Sequence, residues 1–195
     1  MGDRLLTPSG RYDPHRQFAV SLFAAFLDDQ TELLRGQVKD WEPRHFEWQE
    51  RPGRNTAGML IAHCAMAEVW WLAIAWRGIP YKGAGEGMFA EILGIGPEDD
   101  GLPLAPDGAH PEALAGKTFE DYFEILGRAR EATHAALHGW TDEDLAHTYE
   151  ANNRTYTRRW TLYHAAEHFA QHAGQIGLLA HAMRDAGLLK GKGGD

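Results

Sequence analysis

The feature that most constrains this chain is the run "TAGMLIAHCAMAEVWWLAIAWRG", residues 56 to 78. Wound as a helix, it is apolar on nearly every face. It opens at Asn55 or Thr56, both good caps, and stops at Arg77-Gly78. Such a helix must be covered all round, centrally in a bundle or by a partner subunit. His63 and Glu68 interrupt it, so it falls short of the roughly 18 apolar residues of a membrane span. No membrane association is expected.

The flanking segments supply the cover. Asp13 can cap a first helix with Pro14 in its first turn, running to about residue 38 with Phe18, Leu22, Phe26 and Leu33 near one face. Residues 40–55 form a loop broken by Pro43 and Pro52-Gly53. Residues 79–116 are rich in Gly and Pro and hold at most the short helix "GMFAEILG". A connection this long reads as functional, or as a lid. "TFED" is a capping box from Thr118 to Asp121, opening a third helix that runs to His138. "TDEDL" adds a capped turn. "HTYEANNRTYT" reads as a hairpin or extended loop around Asn152-Asn153. A last helix starts near Thr157 and ends before Gly187, and the tail "KGKGGD" is expected to fray. The reading is one all-α domain over residues 1–195: a four-helix bundle with a long crossover between helices two and three.

A net charge of −9, with scattered Lys and Arg, argues against nucleic acid as a partner. The single cysteine, Cys64, permits no intrachain disulfide and is expected to be a buried filler. With no basic-then-apolar leader in "MGDRLLTPSGRYDP", a cytoplasmic protein is expected.

Chemistry concentrates in "TLYHAAEHFAQHAGQIG", residues 161–177. Steps of four drift only about 40° round a helix, so His164, His168 and His172 form one stripe. Thr161, Ala165, Gln175, Ile176, Leu179 and Met183 share its arc, which points the stripe inward. Arg159, Ala166, Ala170, Gly177 and Arg184 take the opposite face. Buried imidazoles without partners would each cost about 1–3 kcal/mol. A divalent metal satisfies them well, and His63 on the second helix is the best third ligand. Alone among apolar neighbours, His63 would read as a hydrogen-bonded core residue; the facing histidine row changes that. Three protein ligands leave an open position, as in catalytic sites. Cys64 lies about 100° round the helix from His63 and is a poor fourth ligand. Both histidine pairs have chelating spacing. "HAAEH" also matches a short zinc-peptidase pattern in which Glu167 would be the base; the pattern is weak, and Glu167 reads rather as a surface residue or as an acceptor for a ligating histidine.

The pieces "GMLIAHCAMAEVWWL" and "LYHAAEHFAQHAGQIGLL" resemble the DinB-like superfamily of four-helix-bundle metalloproteins, which includes thiol-dependent S-transferases. The resemblance covers nearly the whole chain. It implies the ligands His63, His168 and His172 for a divalent metal (zinc, nickel or similar). His164 then becomes a hydrogen-bond partner behind the ligands, a proton shuttle, or a plain helix histidine. The resemblance further implies a small thiol, bacillithiol or mycothiol, transferred to an electrophilic substrate. Arg154 and Arg158 near the start of the last helix are candidates for binding that thiol's carboxylates, with Trp70 lining the pocket. Arg159 points away from the histidine row. The crossover 79–116 is longer than the family's usual, so substrate preference does not carry over.

Two other functions fit the same residues. One is metal-dependent hydrolysis, with Glu167 or His164 as base. The other is a non-enzymatic metal-binding stress protein. A homodimer is expected from the all-round apolar second helix and from Ala166, Ala170, Ala173 and Gly177 along the outer side of the last one.

Overall fold

A computed structural model describes residues 6–102 and 105–190. Residues 191–195 of the tail expected to fray lie outside it, as do the first five of the stretch read for a leader. The helices are α1 (Phe18–Val38), α2 (Pro43–Phe46), α3 (Ala57–Val69), α4 (Glu86–Leu93), α5 (Phe119–Leu137) and α6 (Arg158–Asp185). A hairpin, β1 (Thr148–Ala151) and β2 (Arg154–Thr157), leads into α6. The long helices pack in a ring: α1 against α6 and α5, and α3 against α5 and α6. The expected four-helix bundle stands, with the crossover from Gly78 to Thr118 joining α3 to α5.

α3 starts where Thr56 Oγ1 accepts from Met59 N–H, 3.1 Å. Beyond Val69 it continues as a π-helical turn, Trp70–Ile74, and a 3-10 turn, Ala75–Arg77, and Gly78 ends it in a left-handed conformation. Over Ala57–Arg77 it is, after all, long and apolar enough to cross a membrane, but 89% of its apolar window is buried inside the protein. Its one acidic residue has a partner. Arg130 of α5 donates Nε–H to Glu68 Oε1 at 2.7 Å and Nη1–H to Asp28 Oδ1 of α1 at 2.5 Å. Thr31 Oγ1 takes Nη2–H at 3.0 Å. A single guanidinium thus ties three helices together.

The start of α1 differs from expectation. Asp13 caps only a turn, with His15 N–H on its Oδ1. The helix begins at Phe18, and its cap comes from far along the chain: Asp142 accepts from Ala19 N–H (3.0 Å) and Val20 N–H (3.2 Å). The buried face is Val20, Ala24, Leu27, Leu34 and Val38. Phe18 and Leu33 are exposed, while Leu22 and Phe26 line a shallow apolar groove with Tyr163. The small residues of α6 are not on a free outer side. Ala166 is buried, and Gly177 sits where a Cβ would lie 3.2 Å from Gln37 of α1. Those two positions are covered within the chain, while Ala170 and Ala173 are half-buried.

The rest of the reading meets its elements. Thr118 and Asp121 form the capping box of α5. Thr141 and Asp144 cap a 3-10 turn, Glu143–Ala146. Asn152 and Asn153 carry the positive φ values, 50° and 59°, of a two-residue hairpin turn. Thr157 caps α6 through Trp160 N–H. Tyr149 of the hairpin bonds Thr161 at 2.5 Å, fixing the hairpin on the helix it feeds.

Candidate metal centre

α3 and α6 run in opposite directions along their contact. His63 of α3 meets His168 and His172, with ring centroids 5.0 and 5.2 Å apart. Two turns further along α3, Trp71 meets Trp160 and His164. The structure therefore chooses between the two spacings: His63, His168 and His172 each offer a ligand nitrogen, all within 4.8 Å of one another. His164 stands outside this group.

The donor chemistry fits a divalent ion. The Nε2 atoms of His168 and His172 are 3.2 Å apart. Two nitrogens on one tetrahedral ion, with bonds of about 2.0–2.1 Å, would sit about 3.3 Å apart. His63 Nδ1 donates to Asp100 Oδ2 at 2.8 Å, so its Nε2 carries the free lone pair. His172 Nδ1 donates to Gln175 Oε1 at 2.9 Å, which puts the lone pair on its Nε2, the atom that meets His168 Nε2. Burial pushes His168 down to about 3, helped by charge repulsion from His172, His63 and His164. Burial also lowers His172. At neutral pH His168 and His172 are neutral, the form that binds metal.

Two contributors were not anticipated for these roles. Gln175 follows His172 by three residues on one helix, a spacing that brings side chains together, so its part was there to be found. Asp100 sits in the irregular segment "GPEDDG", where no periodicity tells one acidic residue from its neighbours. It is 3% exposed, and its second oxygen accepts from Leu102 N–H at 3.0 Å. Gly101 beside it has φ 68° and lies against α3, where a Cβ would come 2.4 Å from Pro111 Cγ and 3.2 Å from Met59 Cε. Only glycine meets both demands.

The remaining candidates fall as follows. His164 stacks on Trp160 (4.5 Å, 15°), and its Nδ1 is 3.4 Å from Glu167 Oε2. Glu167 is partly exposed, accepts from Gln171 Nε2–H, lies near His164 and acts on His172 through its charge. Arg158 lies over the rings of Trp76 and Trp140, 4.8 Å from each, with Asp144 at 3.8 Å. Its guanidinium is held in that structural contact. Arg154 is exposed on β2. Trp70 is buried against Tyr81 and lines a cavity of about 400 Å³ between the 78–81 turn and the hairpin tip. Cys64 is the buried filler expected, its thiol pushed up by burial. Another cavity, of about 440 Å³, begins at Gln175, beside His172. Its walls are Leu60, Leu178, Leu179 and Ala182, with Arg54 and Glu50 at its edge.

The comparisons with known proteins agree with this architecture. The family model of the DinB superfamily matches residues 27–176. A DinB-like protein from Bacillus cereus ATCC 10987 is similar in structure, with a TM-score of 0.50 at 21% identity, covering 85% of this chain and 93% of that one. A conserved protein from Enterococcus faecalis gives 0.57 at 18% identity, covering 81% and 92%. At such identities the likeness speaks for the fold alone. No curated protein matches the chain. The family match spans most of the sequence, including all three clustered histidines, and the chain belongs to the DinB superfamily.

Proposed function

We propose that the chain is a metal-dependent S-transferase. It would hold a zinc, nickel or similar ion at His63, His168 and His172, and join a low-molecular-weight thiol of the bacillithiol or mycothiol kind to an electrophilic small molecule. The observation that carries the reading is the convergence of three imidazole nitrogens from two helices, a group that numbers three among the described residues. Three-ligand sets are those of open, reactive sites. A bound ion would lower the pKa of a coordinated thiol and keep it as thiolate at neutral pH.

The chain's own residues do the rest. Asp100 and Gln175 hold two of the rings by their outer nitrogens. Burial keeps His168 unprotonated. The cavity beside Gln175 offers an apolar wall and the Arg54 guanidinium to a small, partly charged substrate. The test is direct. Metal-loaded protein is incubated with bacillithiol and a chloro-aromatic or an epoxide. Conjugate above the level of the His63→Ala variant supports the transferase; equal levels overturn it for those reagents.

The His164–Glu167 contact favours a second reading, metal-dependent hydrolysis. A carboxylate behind an imidazole is the arrangement of a general base. This reading expects turnover of activated esters with no thiol present, and loss of that turnover in Glu167→Gln.

A further inference from the structure

The crossover is the part of the molecule whose purpose the bundle does not explain. Its Phe89, Leu93, Ile95 and Leu114 join the core, and it also returns to α3 and places a carboxylate behind a histidine. The turn that does this is built with care. Asp99 Oδ2 accepts from Gly96 N–H at 2.6 Å, which closes the turn. Ile95 and Leu93 are buried on one side of it and Leu114 on the other. Gly101 allows the closest approach to Met59, one turn of α3 before His63. Between these anchors Asp100 is nearly inaccessible, and a carboxylate so deep must have its oxygens hydrogen-bonded to be tolerated. One oxygen takes Leu102 N–H within the loop; the other takes His63.

We propose that Asp100 is a positioning residue of the metal centre, and that its bond to His63 makes the crossover a latch closed by metal. This rests on the reading of the three histidines as a metal site. The carboxylate fixes His63 with Nδ1 protonated and Nε2 aimed into the cluster, and makes that nitrogen the better donor. A cation on Nε2 draws electron density from the ring, which strengthens the Nδ1–H bond to Asp100. The coupling runs both ways: metal tightens the loop, and the docked loop tightens metal. A loop anchored for packing alone would not respond to the ion.

The experiment uses the full chain, freed of metal with a chelator, as wild type, Asp100→Asn and Asp100→Ala. Zinc affinity is read by competition with a chromophoric chelator, hydrogen exchange is followed over residues 94–102, and the His63 tautomer is read from its 15N shifts. Both variants are expected to bind zinc about 10–100-fold more weakly. Zinc is expected to slow exchange over 94–102 in wild type and to leave Asp100→Ala unchanged. Zinc-free wild type is expected to show His63 protonated at Nδ1, and the variants a mixture of tautomers. If Asp100→Ala does not fold, the isosteric Asp100→Asn carries the comparison. Zinc affinity in the variants within about twofold of wild type overturns the latch and leaves the metal site standing. So does wild-type exchange over 94–102 that ignores zinc. Wild type that takes up no zinc overturns the metal reading itself, and the latch with it.

Discussion

Trp71 meets His164 edge-on, with ring centroids 5.3 Å apart and planes at 90°. An indole offers no lone pair to an ion, so His164 faces a ring that cannot share a ligand role, and it stands outside the group in which His63 meets His168 and His172. Single replacement of His63, His168 or His172 by alanine is therefore expected to abolish stoichiometric zinc uptake, whereas His164→Ala keeps it. Elemental analysis of untagged protein checks this; zinc lost with His164 but kept without His172 would move the centre one turn along α6.

Acid should loosen the metal-free protein through the same residues. His168 titrates near its ordinary 6.5 when unfolded, but burial pushes it down to about 3 in the fold, and His172 is lowered too. Between those values the unfolded chain binds more protons, so stability rises with pH across that window. It is fully present above about pH 6.5 and drains away as the solution is acidified toward about pH 3. Urea titrations of chelator-treated protein at stepped pH should show the slope, and His168→Leu should flatten part of it.

The Arg130 junction should be the costliest polar group to cut. Arg130→Met leaves Glu68 buried and uncompensated, for an expected loss of about 3–5 kcal/mol. Arg130→Met combined with Glu68→Leu should recover most of it, because the penalty lies in the stranded charge. Chemical denaturation of the single and double variants measures the difference.

Arg158 separates packing from substrate binding. Clamped over Trp76 and Trp140, it should cost about 1–2 kcal/mol of stability as Arg158→Ala. Zinc uptake should be unchanged. A variant with wild-type stability and a weakened thiol response would return Arg158 to the substrate mouth.

Local rules made the helices and their caps readable: Thr56, Thr118 and Thr157 each cap where a threonine meets an apolar period. The long-range caps were out of reach. Asp142 closes the start of α1 across the fold, and nothing near Asp13 hints that its own carboxylate will serve only a turn. The face of α1 was misjudged for a related reason: phenylalanines at 18 and 26 weigh more in a hydrophobic pattern than alanine at 24, yet close packing against α6 and α5 favours the smaller side. The three clustered histidines were legible because helix periodicity fixes direction. Asp100 was not, since irregular backbone has no period from which to infer where a side chain points.

The π-helical turn at Trp70–Ile74 divides α3 into two separately adjustable halves. Removing one residue inside it would return the wide turn to ordinary winding and change which side chains it presents, leaving His63 where it is. Trp70 and Trp71, which lie in the turn and meet Tyr81 and Tyr156, would repack while the imidazole cluster kept its register. A length change at this joint thus offers a way to reshape the surroundings of the three histidines without moving them.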